Sequence, residues 1–179
     1  MATSTSSYWR DANRVPITTD GLTVSTTLTT NASNATVTPA IFTITGAVEI
    51  RALWGVVTTD LGANHTIASW RLNDQTAQIY ITAVGGTTLS GIKAGSLITK
   101  PGVVATALTK LDNVAGVLVE AAALETPYFT PFIAVKKTGA LTQIEYRYAT
   151  TTQPTTGAIQ FFCRFLPLST DGDVTGVAT

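Results

Sequence analysis

The sequence predicts an all-β protein, an antiparallel β-sandwich of the jelly-roll kind with an extended N-terminal arm. Three observations support this fold class. Threonine makes up about a fifth of the 179 residues, and β-branched side chains favour strands. About ten short apolar segments are separated by Gly, Pro, Asn or Asp at intervals of roughly ten residues. Several segments alternate apolar and polar residues, while a helical period is sustained nowhere.

The first four strands come from the segments 22–29, 40–45, 46–57 and 66–72. The first two are runs of Thr, Val, Ile and Phe, which suit a pleated sheet. The next two alternate, so one set of side chains in each is expected to face the core. These sets are Val48, Ile50, Ala52, Trp54 and Val56 in the third strand, and Ala68, Trp70 and Leu72 in the fourth.

Of the remaining six strands, the first four have weak sequence signals and the last two, near the C-terminus, have clear ones. Short β-rich runs predict strands at 77–84, 103–109, 116–121 and 131–137. The last two strands alternate strictly, and Pro167 ends the second of them. They span 141–150, with Ile144, Tyr146 and Tyr148 facing the core, and 157–168, with Ile159, Phe161, Cys163 and Phe165 facing it.

The connections divide into tight turns and longer segments. Gly next to Thr or Ala predicts hairpin turns at 45–47, 138–140 and 154–157. The glycine-rich segment 84–102 predicts an extended surface loop or a weak edge hairpin. One short helix or turn is expected between 109 and 125, where Ala and Leu are frequent but a glycine interrupts.

Three regions follow along the chain. Residues 1–20 mix Ser, Thr, charged and aromatic residues without a period, and they predict an extended arm. Residues 21–168 carry all the predicted strands and form the β-sandwich domain. Residues 169–179 predict a short polar C-terminal tail.

The charge content favours a protein partner. Charged residues amount to 12% of the chain and the formal net charge is zero, whereas soluble domains usually contain about 25% charged residues. A monomer without net charge is poorly protected against association, so we expect other subunits to cover part of the surface. Eleven Lys and Arg are balanced by eleven Asp and Glu, which argues against nucleic acid as a partner.

The sequence gives no sign of a membrane partner or of secretion. The N-terminal segment has neither the basic nor the apolar region of a signal peptide. No apolar run approaches the ~18 residues of a membrane-spanning segment. We therefore expect synthesis in a cytoplasm.

No motif predicts an enzyme, a cofactor or a metal site. His65 is the only histidine and its neighbours offer no strong ligand, so we expect it in a loop or at a strand start. A hydrolase triad would depend on the same histidine, and no nucleophile-elbow motif occurs. Cys163 lies in an apolar run and is expected to be a buried, inert thiol. Asp60, Asp74 and Asp112 are expected in turns.

Four aromatic residues, Trp54, Trp70, Tyr146 and Tyr148, have two interpretations. Aromatic rings can stack on sugars, which would suit a carbohydrate-recognition or receptor-binding module. Their alternation with charged residues predicts instead that all four face the core. Exposed aromatics in a cleft would favour the sugar alternative, whereas burial of Trp54 and Trp70 would weaken it.

The arm carries residue types that are enriched where protein interfaces bind most tightly. These residues are Tyr8, Trp9, Arg10, Arg14, Val15 and Pro16. We interpret them as a segment that docks on another subunit and becomes ordered there. Wrapping onto the sandwich of the same chain and simple disorder are the alternatives.

Two segments, "DANRVPITTDGLTVSTTLT" and "ATVTPAIFTITGAVEIRALWGVVTTDLG", resemble a recurring class of virion proteins in tailed bacteriophages. The likeness covers roughly residues 11–62 and consists of an "NRVP" arm, an "IFTITG" strand, a further apolar strand and a "TTDL" turn. Within this class, the size and composition are most similar to capsid decoration, or cement, proteins. The resemblance implies a homotrimer on the capsid surface of the virion, bound to the major capsid protein.

The function expected from these observations is structural. The arm would dock on a neighbouring capsid or cement subunit, while the sandwich would be the rigid body and its low-charge flank the subunit contact. Two alternatives stay open, a tail, neck or baseplate component of the same virion and the carbohydrate-binding module.

Overall fold

The computed structural model describes residues 21–30, 35–62, 65–100, 102, 106–111, 129–150 and 157–177. These residues contain twelve β-strands and no helix, which confirms the predicted all-β class. In the same residues, therefore, no helix is long and apolar enough to cross a membrane. The strands are β1 (Leu22–Thr30), β2 (Thr36–Val37), β3 (Ala40–Thr45), β4 (Ala47–Thr59), β5 (Thr66–Asn73), β6 (Gln78–Tyr80), β7 (Leu97–Thr99), β8 (Thr109–Leu111), β9 (Phe132–Val135), β10 (Thr142–Ala149), β11 (Gly157–Pro167) and β12 (Asp173–Gly176).

The strands form two antiparallel sheets of six strands each, arranged as a β-sandwich. In the front sheet the order is β1-β11-β4-β7-β8, and β9 also pairs with β4. In the back sheet the order is β12-β3-β10-β5-β6, and β2 also pairs with β10. Side chains from both sheets form one apolar core, because the inward residues of each strand interdigitate with those of the facing sheet. Its largest members include Trp70, Tyr146, Tyr148, Phe42 and Phe161.

The alternation predicted for β10 and β11 is confirmed. Tyr146 and Tyr148 of β10 are buried, and the ring of Tyr146 lies 4.9 Å from that of Phe161 in β11. The two strands thus meet across the sandwich. Cys163 is buried in the same layer, as expected, and burial raises the pKa of its thiol.

The prediction that Trp54 faces the core is wrong because β4 contains a bulge. Arg51 is an extra residue in β4, with no partner on β11. One extra residue reverses the alternation that follows it. Ile50, before the bulge, points inward as predicted, whereas Leu53 and Val57 are the buried residues beyond it. Trp54 therefore lies on the outer face of the front sheet, and so do the other two mispredicted residues, Ala52 and Val56.

Two of the predicted hairpin turns connect the sheets instead. The turns at 45–47 and 138–140 join β3 to β4 and β9 to β10, and each time the two strands belong to different sheets. Gly46 has a φ of 55°, and a Cβ there would collide with Ser169 Oγ. The third turn, 154–157, lies outside the described residues except for Gly157, and it too links strands of different sheets.

The C-terminal segment belongs to the sandwich. Residues 169–179 were predicted as a polar tail, but Asp173–Gly176 forms β12 at the edge of the back sheet. Val174 is fully buried and pairs with Ile44 of β3. Only one of the four side chains of β12 enters the core, so its sequence is mostly polar. For this reason the sequence did not predict a strand here.

Two further segments differ from their predictions. The glycine-rich segment 84–102 contributes Leu89 and Ile92 to the core, and its β7 lies between β4 and β8. In the stretch predicted as a short helix or turn, 109–111 forms β8. The rest of that stretch, including the strand predicted at 116–121, lies outside the described residues.

Candidate functional site

The arm joins the described chain at the edge of the front sheet. Its predicted docking residues, Tyr8, Trp9, Arg10, Arg14, Val15 and Pro16, lie outside the described residues. Gly21 has a φ of 87°, and a Cβ there would collide with the carbonyl oxygen of Phe165. Leu22 then begins β1 opposite Phe165. The arm is therefore attached beside the last residues of β11.

β11 is apolar on both of its faces. Phe161 and Phe165 point into the core, whereas Phe162 and Leu166 point outward with Arg164 between them. In an antiparallel sheet with one solvated face the outward residues are usually polar, so Phe162 and Leu166 depart from that pattern. The neighbouring strand β1 instead presents exposed hydroxyl side chains, from Thr23, Ser25, Thr27 and Thr29.

Four apolar side chains lie at one end of this outer face, two on each side of β4, and we call them the end patch. They are Ile133, Val135, Leu166 and Leu168. Glu49 of β4 pairs with Leu166 on one side and Ile133 on the other, and Ala47 lies between Leu168 and Val135 in the same way. Ile133, Val135 and Leu168 expose 65%, 62% and 49% of their surface. Grouped exposure of this kind marks an interaction site more often than single exposed apolar residues do.

A stacked aromatic pair continues the apolar surface away from the end patch. Trp54 and Phe162 pair across β4 and β11, with ring centroids 5.2 Å apart and planes within 7°. Both rings are half-buried, and Thr99 of β7 lies beside Trp54. The stacked rings place apolar surface in the middle of the face.

The charges on this face are few. Glu49 and Arg51 form an ion pair at 3.1 Å whose side chains are 27% and 31% exposed, and such a pair adds little stability. Arg164 is exposed, and no described residue forms an ion pair with it. The outer face of the front sheet thus combines apolar surface with one cation that lacks a counter-charge in the described part of the chain.

The outer face of the back sheet has the opposite character. Glu145 and Arg71 are paired residues on β10 and β5, and their side chains are joined at 2.5 Å. Asn73 Nδ2 donates to Glu145 Oε1 at 2.7 Å, and Arg71 Nη1 donates to Gln78 Oε1 at 2.7 Å. These polar groups satisfy one another, so the middle of this face is polar and already hydrogen-bonded.

The titratable residues singled out from the sequence have structural roles. His65 directly precedes β5, which confirms its predicted position, but it is only 2% exposed. Asp74 is confirmed as a turn residue, since it accepts the backbone N–H groups of Thr76 and Ala77. Asp60 follows β4 and accepts instead from the distant backbone N–H of Ala94, and Asp112 lies outside the described residues. Among the described residues, no group of three or more His, Cys, Asp and Glu could hold a metal ion.

His65 belongs to a buried aromatic cluster. Its Nε2 lies 2.7 Å from Tyr146 Oη, and its ring stacks on Tyr148 with centroids 4.7 Å apart. Burial lowers the pKa of His65 from 6.5 to about 4. The histidine is therefore neutral at physiological pH.

Comparison of the chain with protein-family models, with curated proteins and with solved structures finds no match.

The end patch is a candidate interaction surface that the sequence did not predict. Its signal was present in β11, where Phe162 and Leu166 add apolar residues to the face opposite Phe161 and Phe165. The two residues from β9 could not be placed, because a four-residue strand does not show which of its faces is covered.

Proposed function

We propose that this chain is a structural protein of a bacteriophage virion that binds the outside of the capsid as a homotrimer and stabilises the shell. The observation that carries the proposal is the exposed apolar surface on the outer face of the front sheet, formed by the end patch and the Trp54–Phe162 pair, on a chain of zero net charge. The likeness of residues 11–62 to virion proteins supplies the phage context and the trimer. The protein is made in the host cytoplasm and binds the major capsid protein.

The proposed mechanism is physical. A shell under internal pressure is stabilised by additional buried interface at its weakest contacts. A symmetric oligomer presents the same surface several times, so individually weak contacts add through multivalency. The sandwich provides a rigid body, the outer face of the front sheet provides subunit contact, and the arm extends the contact to a neighbouring subunit.

The location and copy number of the protein in virions test this proposal. Image reconstruction combined with quantitative gel analysis would measure both. Copies spread over the whole shell, in numbers comparable with the major capsid protein, are the expected result. A dozen copies or fewer at one vertex would point to a tail, neck or baseplate component. Absence from mature particles would overturn both assignments.

Deleting residues 1–16 is expected to abolish attachment to empty shells while leaving the melting temperature nearly unchanged. The first strand begins at Leu22, and every buried residue of the described core follows it, so the truncation removes none of this packing. Shell co-sedimentation and thermal unfolding would measure the two effects. A full-length control in which Tyr8 and Trp9 become serine should lose attachment as well. Normal attachment of the truncated chain would contradict the role of the arm.

One observation favours the carbohydrate alternative. Trp54 lies on the outer face rather than in the core, whereas Trp70 is fully buried. A glycan-array screen of the protein and of Trp54→Ala would test whether this ring binds sugar. Binding that disappears in the variant would support the receptor-binding function instead of the capsid function.

A further inference from the structure

We infer that the end patch is the docking site for the arm of a second copy of this chain. The inference rests on the proposed function in taking the arm to be a docking segment, and it names the surface that receives it. The two components are the end patch, Ile133, Val135, Leu166 and Leu168, and the apolar arm residues Tyr8, Trp9, Val15 and Pro16.

The point of attachment brings the arm close to this surface. Gly21 lies against Phe165, the residue before Leu166 of the end patch. From β1 to β9 the front sheet spans three strand spacings of about 4.8 Å. About a dozen residues separate Trp9 from Gly21, and an extended chain of that length reaches up to ~40 Å. The arm is therefore long enough to cover an end patch on its own chain or on an adjoining one.

Exposure of the patch and the composition of the chain favour the second possibility. Ile133, Val135 and Leu168 keep 65%, 62% and 49% of their surface exposed in the single chain. A monomer that left this apolar group in water would gain by covering it with protein. Charged residues make up only 12% of the chain, which favours cover by another protein, and we take that cover to be another copy. The zero net charge of the chain adds no overall repulsion between copies.

The charges are also complementary. Arg164 points out of β11 between Phe162 and Leu166 and has no ion-pair partner among the described residues. Asp11 follows Trp9 closely in the arm. An arm whose aromatic residues occupy the end patch can bring Asp11 to Arg164, which fixes the orientation of the segment. The contact is heterologous, because arm and patch are different surfaces, so it suits a closed ring of copies.

A complementation experiment with full-length variants tests the inference. The patch variant is Ile133→Lys with Val135→Lys, and the arm variant is Tyr8→Ser with Trp9→Ser. Sedimentation velocity would measure self-association of each protein over a range of concentrations. The control is Ile79→Lys with Val84→Lys, which changes an Ile and a Val of similar exposure, 59% and 60%, away from the patch. Thermal unfolding of all variants checks that each is folded.

The expected results follow from a contact between one arm and one patch. The wild type and the control associate equally, while the arm and patch variants each bind themselves roughly thirtyfold or more weakly, as expected for loss of hot-spot residues. An equimolar mixture of these two variants regains association and stops at the heterodimer. In that dimer the patch variant supplies the intact arm and the arm variant supplies the intact patch.

Three other results would overturn the inference. Association that is lost in the patch variant, kept in the arm variant and not restored by mixing would indicate patch-to-patch contact. A wild type that stays monomeric would show that the arm of one copy does not dock on the end patch of another. This conclusion would hold even if patch variants failed to attach to shells. Normal association of the patch variant would remove the patch from the contact. Absence of the protein from virions would refute only the proposed function, since restored association on mixing does not depend on a capsid.

Discussion

Replacing Glu145 by glutamine is expected to lower the free energy of unfolding by about 3–5 kcal/mol. Glu145 and Arg71 are 6% and 7% exposed, and Arg71 Nε donates to Glu145 Oε2 at 2.5 Å. Glutamine keeps the shape of the side chain but removes its charge. The guanidinium of Arg71 would then stay buried without a counter-charge, which is the costly outcome of breaking a buried pair.

Urea unfolding at neutral pH measures this effect against a matched control. Glu49→Gln makes the same chemical change in the pair with Arg51, whose side chains are 27% and 31% exposed. The control is expected to cost about 0–1 kcal/mol, as for other solvent-exposed pairs. Adding Arg71→Met to Glu145→Gln removes the unpaired charge, so the double variant should recover part of the loss. Equal costs for Glu145→Gln and Glu49→Gln would show that burial of the first pair has no energetic consequence.

Acidification from pH 7 to pH 4 is expected to remove about 3 kcal/mol of stability through His65 alone. Burial lowers the pKa of His65 to about 4 in the folded protein, whereas the unfolded chain has the ordinary value of 6.5. Between these two values only the unfolded chain takes up the proton. Protons therefore favour unfolding, so stability is complete above pH 6.5 and falls progressively as the pH approaches 4.

The surroundings of His65 explain why it resists protonation. The titratable groups in contact with its ring are Tyr146 and Tyr148, and neither carries a negative charge in the acid range. Burial raises the pKa of Tyr146 well above its ordinary value, so its hydroxyl remains neutral. Among the described residues, no carboxylate contacts this cluster to stabilise an imidazolium ion.

Urea unfolding of the wild type and of His65→Gln between pH 7 and pH 4 isolates this contribution. Glutamine can still hydrogen-bond to Tyr146 Oη but does not titrate, so the variant should be less stable at pH 7 and less sensitive to acid. Carboxylate groups contribute equally to both proteins, and the difference between the two curves reports His65. Because His65 is the only histidine, its NMR titration gives the folded pKa directly. Parallel stability curves would contradict the prediction.

Local sequence predicted the β class and the orientation of whole strands, but not what covers a residue. In β10 the alternation gave the inward position of Tyr146 and the outward position of Glu145 correctly. It gave no indication that Arg71 and Asn73 of β5 enclose Glu145. That burial depends on the pairing of segments more than 70 residues apart, which no local pattern encodes.

The errors in the front sheet have the same origin. The extra residue at Arg51 leaves no mark in the composition of β4, because apolar residues occupy both faces beyond it. The turn at Gly46 was recognisable as a turn, but local chemistry does not specify that the next strand enters the other sheet. The outward position of Trp54 and the contacts around the end patch depend on these two features.

The bulge in β4 also makes one deletion in this strand neutral for its orientation. Loss of the single codon for Arg51 would leave Ala52 as the one outward residue between Ile50 and Leu53, so Leu53 would stay inward and Trp54 outward. Loss of a codon from a regular part of a strand would instead exchange the inward and outward positions on one side of the deletion. The extra residue is therefore a position at which the length of β4 can change in evolution without altering which side chains face a partner.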